Sequence, residues 1–103
     1  MKMEKVYLDN AATTPVAPEV KEAIEPYLTE KFGNASSVHS FGRDVREEVE
    51  SARKEVAELI GADPEEVIFT SGGTEADNLS IKGIAMENRD KGNHIITSTI
   101  EHH

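Results

Sequence analysis

The spacing of apolar side chains along the chain predicts three helices. The first begins at Pro18, a residue suited to the first helical position, and the second covers residues 43–60 and ends at Gly61. The third runs from Thr74 to about Lys91. Within them the apolar residues recur mainly every three or four positions, which gives each helix one face for burial. These residues are Val20, Ala23, Ile24, Tyr27 and Leu28; Val45, Val49, Ala52, Val56, Leu59 and Ile60; and Ala76, Leu79, Gly83, Ile84 and Met86.

Three shorter segments predict strands, namely "VYLD" at 6–9, "VIFT" at 67–70 and "HIITST" at 94–99. The turn-rich "NAATTP" follows the first, and residues 32–42, with glycine near each end, predict a loop between the first two helices. Strand, helix and strand within about thirty residues indicate a βαβ unit, whose strands run parallel and are joined by a right-handed crossover. The predicted fold class is therefore α/β.

Composition limits what the chain can do. Its 103 residues form one domain at most, and 11 basic against 20 acidic residues give a net charge of −9, which argues against nucleic acid and anionic membranes as partners. The chain has no apolar run of transmembrane length and no signal-peptide segment, so we expect a cytoplasmic protein. It also has no cysteine, which excludes thiol catalysis by these residues.

The stretch "FTSGGTEADN" at 69–78 predicts an anion site. Ser71 to Thr74 lie between the end of a strand and the start of a helix, where unpaired N–H groups and the positive end of the helix dipole converge. Glycine lets a ligand approach the backbone, and a phosphate is the natural ligand. No Lys-Ser or Lys-Thr pair follows the glycines, which argues against a nucleotide P-loop. The alternative is a tight loop in which Thr74 is only the N-cap of the helix.

The second strand of the βαβ unit delivers "TIEHH" to the same edge of the sheet. This places His102 near the phosphate corner, where its imidazole could stack on a flat ring or move a proton. The alternative is a solvent-exposed histidine pair. His103 follows directly and points elsewhere from an extended backbone, so the two histidines make a poor shared metal site and we predict no metal.

Four segments together, "YLDNAATTPV", "GNASSVHSFG", "FTSGGTEADNLSIKG" and "HIITSTIEHH", resemble the start of the cysteine desulfurases. The resemblance covers nearly the whole chain, in the branch that serves nitrogenase and general iron–sulfur assembly. It implies the fold of class V aminotransferases, a homodimer of fold type I, like aspartate aminotransferase, that binds pyridoxal 5'-phosphate. Such enzymes convert L-cysteine to L-alanine and pass the sulfur, held as a persulfide, to an iron–sulfur scaffold or another acceptor protein.

The resemblance also implies roles for particular residues. Gly73 and Thr74 would bind the cofactor phosphate through backbone N–H groups and the Thr74 hydroxyl. His102 would stack on the pyridine ring and help to shuttle protons. The stretch from Asn10 to Thr14 and the loop from Asn34 to His39 resemble segments that line the site entrance and the subunit interface.

Several family residues have no match in this chain. These are the lysine that holds the cofactor covalently, the catalytic cysteine, the acidic partner of the pyridine nitrogen and the arginine for the substrate carboxylate. We therefore expect an N-terminal fragment that is inactive alone, with residues 1–15 in the small domain and 16–103 opening the cofactor-binding domain. The alternatives are a non-catalytic truncated paralogue that pairs with a full-length desulfurase, or another class V aminotransferase.

Overall fold

The computed structural model describes residues 4–101 and contains three α-helices in that range. They are α1 (Pro18–Thr29), α2 (Ser40–Ile60) and α3 (Gly73–Glu87), and a short 3-10 helix covers Pro64–Glu66. The chain divides into two compact units after Pro64. The first unit holds α1 and α2, and the second holds α3, so all three predicted helices are formed.

Helix α1 begins as predicted, with Pro18 as its first residue. The missing N–H of proline is not needed there, because the first N–H groups of a helix have no partner within it. Of the apolar residues expected to be buried, Tyr27 is partly buried and the others remain open to solvent. Val20 and Ile24 are about half exposed, and Leu28 is more exposed still.

Helix α2 begins at Ser40, three residues earlier than predicted, and ends as predicted before Gly61. His39 precedes it in an extended conformation, and its Nδ1 accepts a hydrogen bond from the Gly42 N–H at 3.4 Å. That cap starts the helix ahead of Gly42, a residue that the sequence pattern had assigned to the loop. Gly61 adopts the left-handed conformation, with φ 68°, that commonly ends helices.

The buried side of α2 differs in part from the predicted one. Val45 and Val49 are partly buried as expected, and Ala57, which is only 1% exposed, continues that side at helical spacing. By contrast, Leu59 is 85% exposed and Ile60 is also open to solvent. Apolar spacing alone therefore did not identify the packed face at the end of this helix.

The loop between α1 and α2 is held by two arginines of α2. Arg46 donates through Nε to the carbonyl oxygen of Ala35 at 2.7 Å and through Nη2 to that of Ser37 at 3.4 Å. Arg43 donates through Nη1 to the carbonyl oxygen of Val38 at 3.0 Å. The rigid guanidinium fork can hold two carbonyls at once, so this loop has a defined path although its residues are largely exposed.

Close backbone contacts also shape this loop. A Cβ added at Gly33 would overlap the carbonyl of Phe41, and one at Gly42 would lie 2.5 Å from the Ser37 oxygen and 2.6 Å from the Asn34 oxygen. Both positions therefore require glycine for a steric reason. The Asn34 side chain accepts a hydrogen bond from the Ser36 N–H at 2.9 Å, which forms a local turn.

A small polar and aromatic cluster joins the end of α1 to α2. Lys31 Nζ donates to Glu48 Oε1 at 2.9 Å and lies 5.4 Å from the centre of the Tyr27 ring. This hydrogen bond and charge pairing raise the pKa of Lys31 and lower the pKa of Glu48. The rings of Phe32 and Phe41 stack with centres 6.3 Å apart. Solvent screens the ion pair, so the cluster orients the two helices more than it stabilises them.

The predicted strands at 6–9, 67–70 and 94–99 are not formed in the described range, which contains no strand. These segments have the apolar and β-branched residues of strands. A strand, however, exists only within a hydrogen-bonded ladder to a neighbour. The parallel βαβ unit is thus unconfirmed, and the helical part of that prediction alone is formed, as α3.

Helix α3 begins one residue before the predicted start and ends at Glu87 rather than near Lys91. The helix ends where the Asn88 backbone leaves the helical conformation, at φ −106° and ψ 24°, and both the N–H and the side-chain Nδ2 of Asn88 donate to the Ile84 carbonyl, at 3.1 and 2.8 Å. The apolar face of α3 is exposed to solvent, and both Leu79 and Ile84 on that face are exposed.

Little apolar surface is buried in the described part of the chain. Among residues 4–101, Ala57 is the one buried hydrophobic residue, and large apolar side chains are exposed along all three helices. Throughout that range, no helix combines the length and the apolar character needed to cross a membrane.

Candidate functional site

The predicted phosphate corner lies at the start of α3. Gly72 is the N-cap, and Gly73 and Thr74 are the first two helical residues. The alternative in which Thr74 is only the N-cap is therefore wrong, because Thr74 already lies inside the first turn. No side chain in the described residues caps this end, so its first N–H groups point outward without a helical partner.

Glu75 forms the shortest hydrogen bonds at this corner. Its Oε2 accepts from the Ser71 N–H at 2.7 Å and from the Ser71 Oγ at 2.6 Å. These two bonds stabilise the ionised carboxylate and so lower the pKa of Glu75. A carboxylate in the first turn also suits the positive end of the helix dipole. Sequence reasoning missed this contact, because the capping-box signal places the serine at the N-cap, three residues before the acidic residue, whereas Ser71 precedes the N-cap and lies four residues before Glu75.

No steric contact among the described residues requires glycine at the two glycine positions of the corner. A Cβ added at Gly72 or Gly73 would meet nothing within 4 Å. Gly72, with φ 161° and ψ −178°, is extended, a conformation open to any residue. What the missing side chains do provide is access to the backbone N–H groups for an external group.

The donors at the corner fit an anion such as a phosphate. They are the outward N–H groups of Gly73 and Thr74 and the Thr74 hydroxyl, for which the structure of residues 4–101 gives no other partner. The 15-residue α3 adds its dipole. The negative charge of Glu75 in the same turn opposes an anion.

The structure brings together only part of the predicted site. His102 and His103 lie outside the described residues, so the predicted position of His102 beside the corner stays a prediction. Asn10 to Thr14 form a turn in which the N–H groups of residues 12 and 13 donate to the Asp9 carbonyl. Asn34 to His39 form the loop clamped by the two arginines of α2, and the sequence pattern did not reveal that clamp.

Comparison with known proteins places the chain in a family. Residues 6–103 match the family model described as "Aminotransferase class-V". The cysteine desulfurase IscS of Dictyoglomus turgidum is 59% identical over all 103 residues, which make up 26% of that protein. The cysteine desulfurase IscS of Methanosarcina thermophila is 59% identical over 98 residues, which cover 95% of this chain and 24% of that protein.

A solved structure agrees with these relatives. A protein described as "NifS-like protein" superposes with a TM-score of 0.86 at 39% identity, over 96% of this chain and 27% of the other. The chain therefore spans about a quarter of the length of the proteins that it matches. The resemblance to the cysteine desulfurases is confirmed, and the chain belongs to the class V aminotransferase family.

Proposed function

We propose that this chain is the N-terminal part of a pyridoxal-phosphate-dependent cysteine desulfurase, called the parent enzyme below. The observation that carries the proposal is 59% identity to a cysteine desulfurase along all 103 residues. In the proposed layout residues 1–15 belong to the small domain and 16–103 open the cofactor domain. The segments 67–70 and 94–99 become parallel strands when neighbouring strands of the full sheet provide their hydrogen-bonding partners.

The proposed role of the α3 corner is to bind the cofactor phosphate. The N–H groups of Gly73 and Thr74 and the Thr74 hydroxyl would donate to it, and the helix dipole adds to the attraction. His102 would lie against the ring and hold or move a proton at its imidazole nitrogens. The bound cofactor would supply an electron-withdrawing ring that stabilises negative charge at the α-carbon of L-cysteine.

The remaining chemistry requires residues outside this chain. No cysteine is present to receive the sulfur, and the seven lysines do not lie in a His-Lys pair. We therefore propose that residues 1–103 alone are inactive. The proposed parent enzyme is a cytoplasmic homodimer that takes L-cysteine and passes sulfur to an iron–sulfur scaffold or another acceptor protein.

Binding of two related molecules tests the phosphate site. Pyridoxal 5'-phosphate and pyridoxal share the ring and the aldehyde, and only the first carries the phosphate. Titration of the parent apo-enzyme should show that the phosphorylated form binds at least about a hundredfold more tightly, because the site offers three charge-assisted hydrogen bonds and each adds about a decade or more in affinity. Equal affinities for the two compounds would contradict the proposed site.

A further inference from the structure

We propose that Glu75 is a positioning residue for the phosphate corner. By accepting two hydrogen bonds from Ser71 it fixes the chain immediately before the two glycines, so that the N–H groups of Gly73 and Thr74 stay directed at the anion. The inference rests on the proposed function, because it assigns a role within the site proposed there.

The contacts on both sides of Gly72 support this role. Before it, the Ser71 N–H and Oγ both donate to the same oxygen of Glu75. In addition, the Thr70 Oγ1 donates to the Gly72 carbonyl at 3.1 Å, and that carbonyl also accepts the Ala76 N–H at 3.1 Å. The chain at Gly72 is therefore fixed by side-chain bonds from its own neighbours rather than by packing, since no atom lies within 4 Å of an added Cβ there.

Two opposing effects decide how Glu75 influences an anion. Its negative charge repels a phosphate, but the residue is exposed, so water and salt screen that repulsion. Its hydrogen bonds order a segment with two adjacent glycines, which loses more conformational freedom on ordering than any other pair of residues. The two short bonds from Ser71 to Glu75 directly restrict the conformations of this segment. Positioning therefore outweighs repulsion, and removing the carboxylate should weaken phosphate binding.

The test compares the affinities of parent-enzyme variants for pyridoxal 5'-phosphate and pyridoxal. Glu75→Ala should bind the phosphorylated compound about three- to tenfold more weakly, the range expected for lost hydrogen bonds at an exposed site, with pyridoxal unchanged. A general structural defect would weaken both compounds equally. Glu75→Gln keeps the size of the side chain and one acceptor oxygen, so it should lose less affinity for the phosphorylated compound. It provides the test if Glu75→Ala folds poorly.

Two controls separate hydrogen bonding from charge. Asp77→Asn removes a nearby charge of α3, and because the Asp77 side chain makes no contact with Ser71, phosphate affinity should stay the same or rise slightly. Ser71→Ala combined with Glu75→Ala should cost no more than Glu75→Ala alone, because Glu75→Ala already removes both bonds and Ser71→Ala removes only the hydroxyl bond.

Unchanged or tighter binding of the phosphorylated compound by Glu75→Ala and Glu75→Gln would overturn the positioning role and show that repulsion dominates. Equal affinity of the unaltered enzyme for both compounds would instead overturn the proposed phosphate site, and the inference with it. The two failures are therefore distinguishable in one set of titrations.

Discussion

At the scale of single residues, the physical reason for having glycine differs from one position to another. Gly33 and Gly42 are required by the chain itself, because an added Cβ would collide with neighbouring backbone. Gly61 is required by its left-handed conformation. Nothing in the described chain requires Gly72 or Gly73, which leave the first turn of α3 open. That difference supports a ligand at the corner. The sequence predicted the helix end at Gly61 and the open backbone at the corner, but it did not show the close contacts at Gly33 and Gly42.

The Thr74 hydroxyl provides the first prediction. Thr74→Val in the parent enzyme removes a donor to a doubly charged phosphate, which is worth roughly 1.5–3 kcal/mol, so cofactor affinity should fall by one to two decades. Thermal unfolding should change little, because Thr74 is not the cap of α3. Ser80→Ala is the matched control: its hydroxyl donates within α3 to the Asp77 carbonyl at 3.2 Å, and its loss should leave the affinity unchanged. An unaltered affinity in Thr74→Val would remove Thr74 from the site.

The second prediction concerns His102, which lies outside the described residues. His102→Ala in the parent enzyme should lower turnover about 10²- to 10⁴-fold, the usual contribution of acid–base help, while cofactor content falls much less. The phosphate binding proposed for Gly73 and Thr74 should be unaffected by this change. His103→Ala is the control and should be tolerated, because neighbouring side chains leave an extended backbone in different directions. Equal small effects at the two positions would show a surface pair without a catalytic role.

At the scale of elements, helices were predictable and strands were not. Helical periodicity, Pro18 at a start and Gly61 at an end are local signals, and the structure confirms them. One error at a helix end has a side-chain cause, because the His39 cap starts α2 early, whereas α3 ends early where the Asn88 backbone leaves the helical conformation. Strand formation depends on a partner strand, so strand-like composition at 67–70 could not establish it. The contact between Ser71 and Glu75 has a spacing of four residues rather than the three of a capping box, so the sequence signal did not indicate it.

The end of α2 provides the third prediction. Gly61→Ala in the parent enzyme forces a Cβ into the left-handed conformation at φ 68°, so the free energy of unfolding should fall by about 1 kcal/mol. Urea unfolding measures this loss. Gly61→Asn is the matched comparison and should cost less, because asparagine tolerates that conformation better. Equal costs for the two replacements would show that side-chain packing, rather than backbone conformation, decides the effect.

At the scale of the whole molecule, the main feature is how little apolar surface the described residues bury. Ala57 is their one buried hydrophobic residue, while apolar side chains of α1 and α3 are open to solvent. Stability of a domain depends on burying such surface. The chain also spans about a quarter of its relatives. Both observations agree with a segment whose apolar faces pack within a larger fold.

The fourth prediction follows for residues 1–103 produced alone. We expect them to bind a dye specific for exposed apolar surface and to unfold without a sharp transition, because the enthalpy of a packed core is missing. The parent enzyme, measured alongside by dye fluorescence and calorimetry, should bind little dye and unfold cooperatively. A sharp transition and no dye binding for residues 1–103 would show that they form an independent domain.

The central claim is that these residues belong to a pyridoxal-phosphate-dependent cysteine desulfurase. Its most direct test is the formation of L-alanine from L-cysteine by the purified parent enzyme, with and without added cofactor. The account predicts that L-alanine formation depends on the cofactor and that Thr74→Val reduces it at limiting cofactor. Residues 1–103 alone should form L-alanine no faster than free pyridoxal phosphate does. A parent enzyme loaded with cofactor that forms no L-alanine from L-cysteine would contradict it.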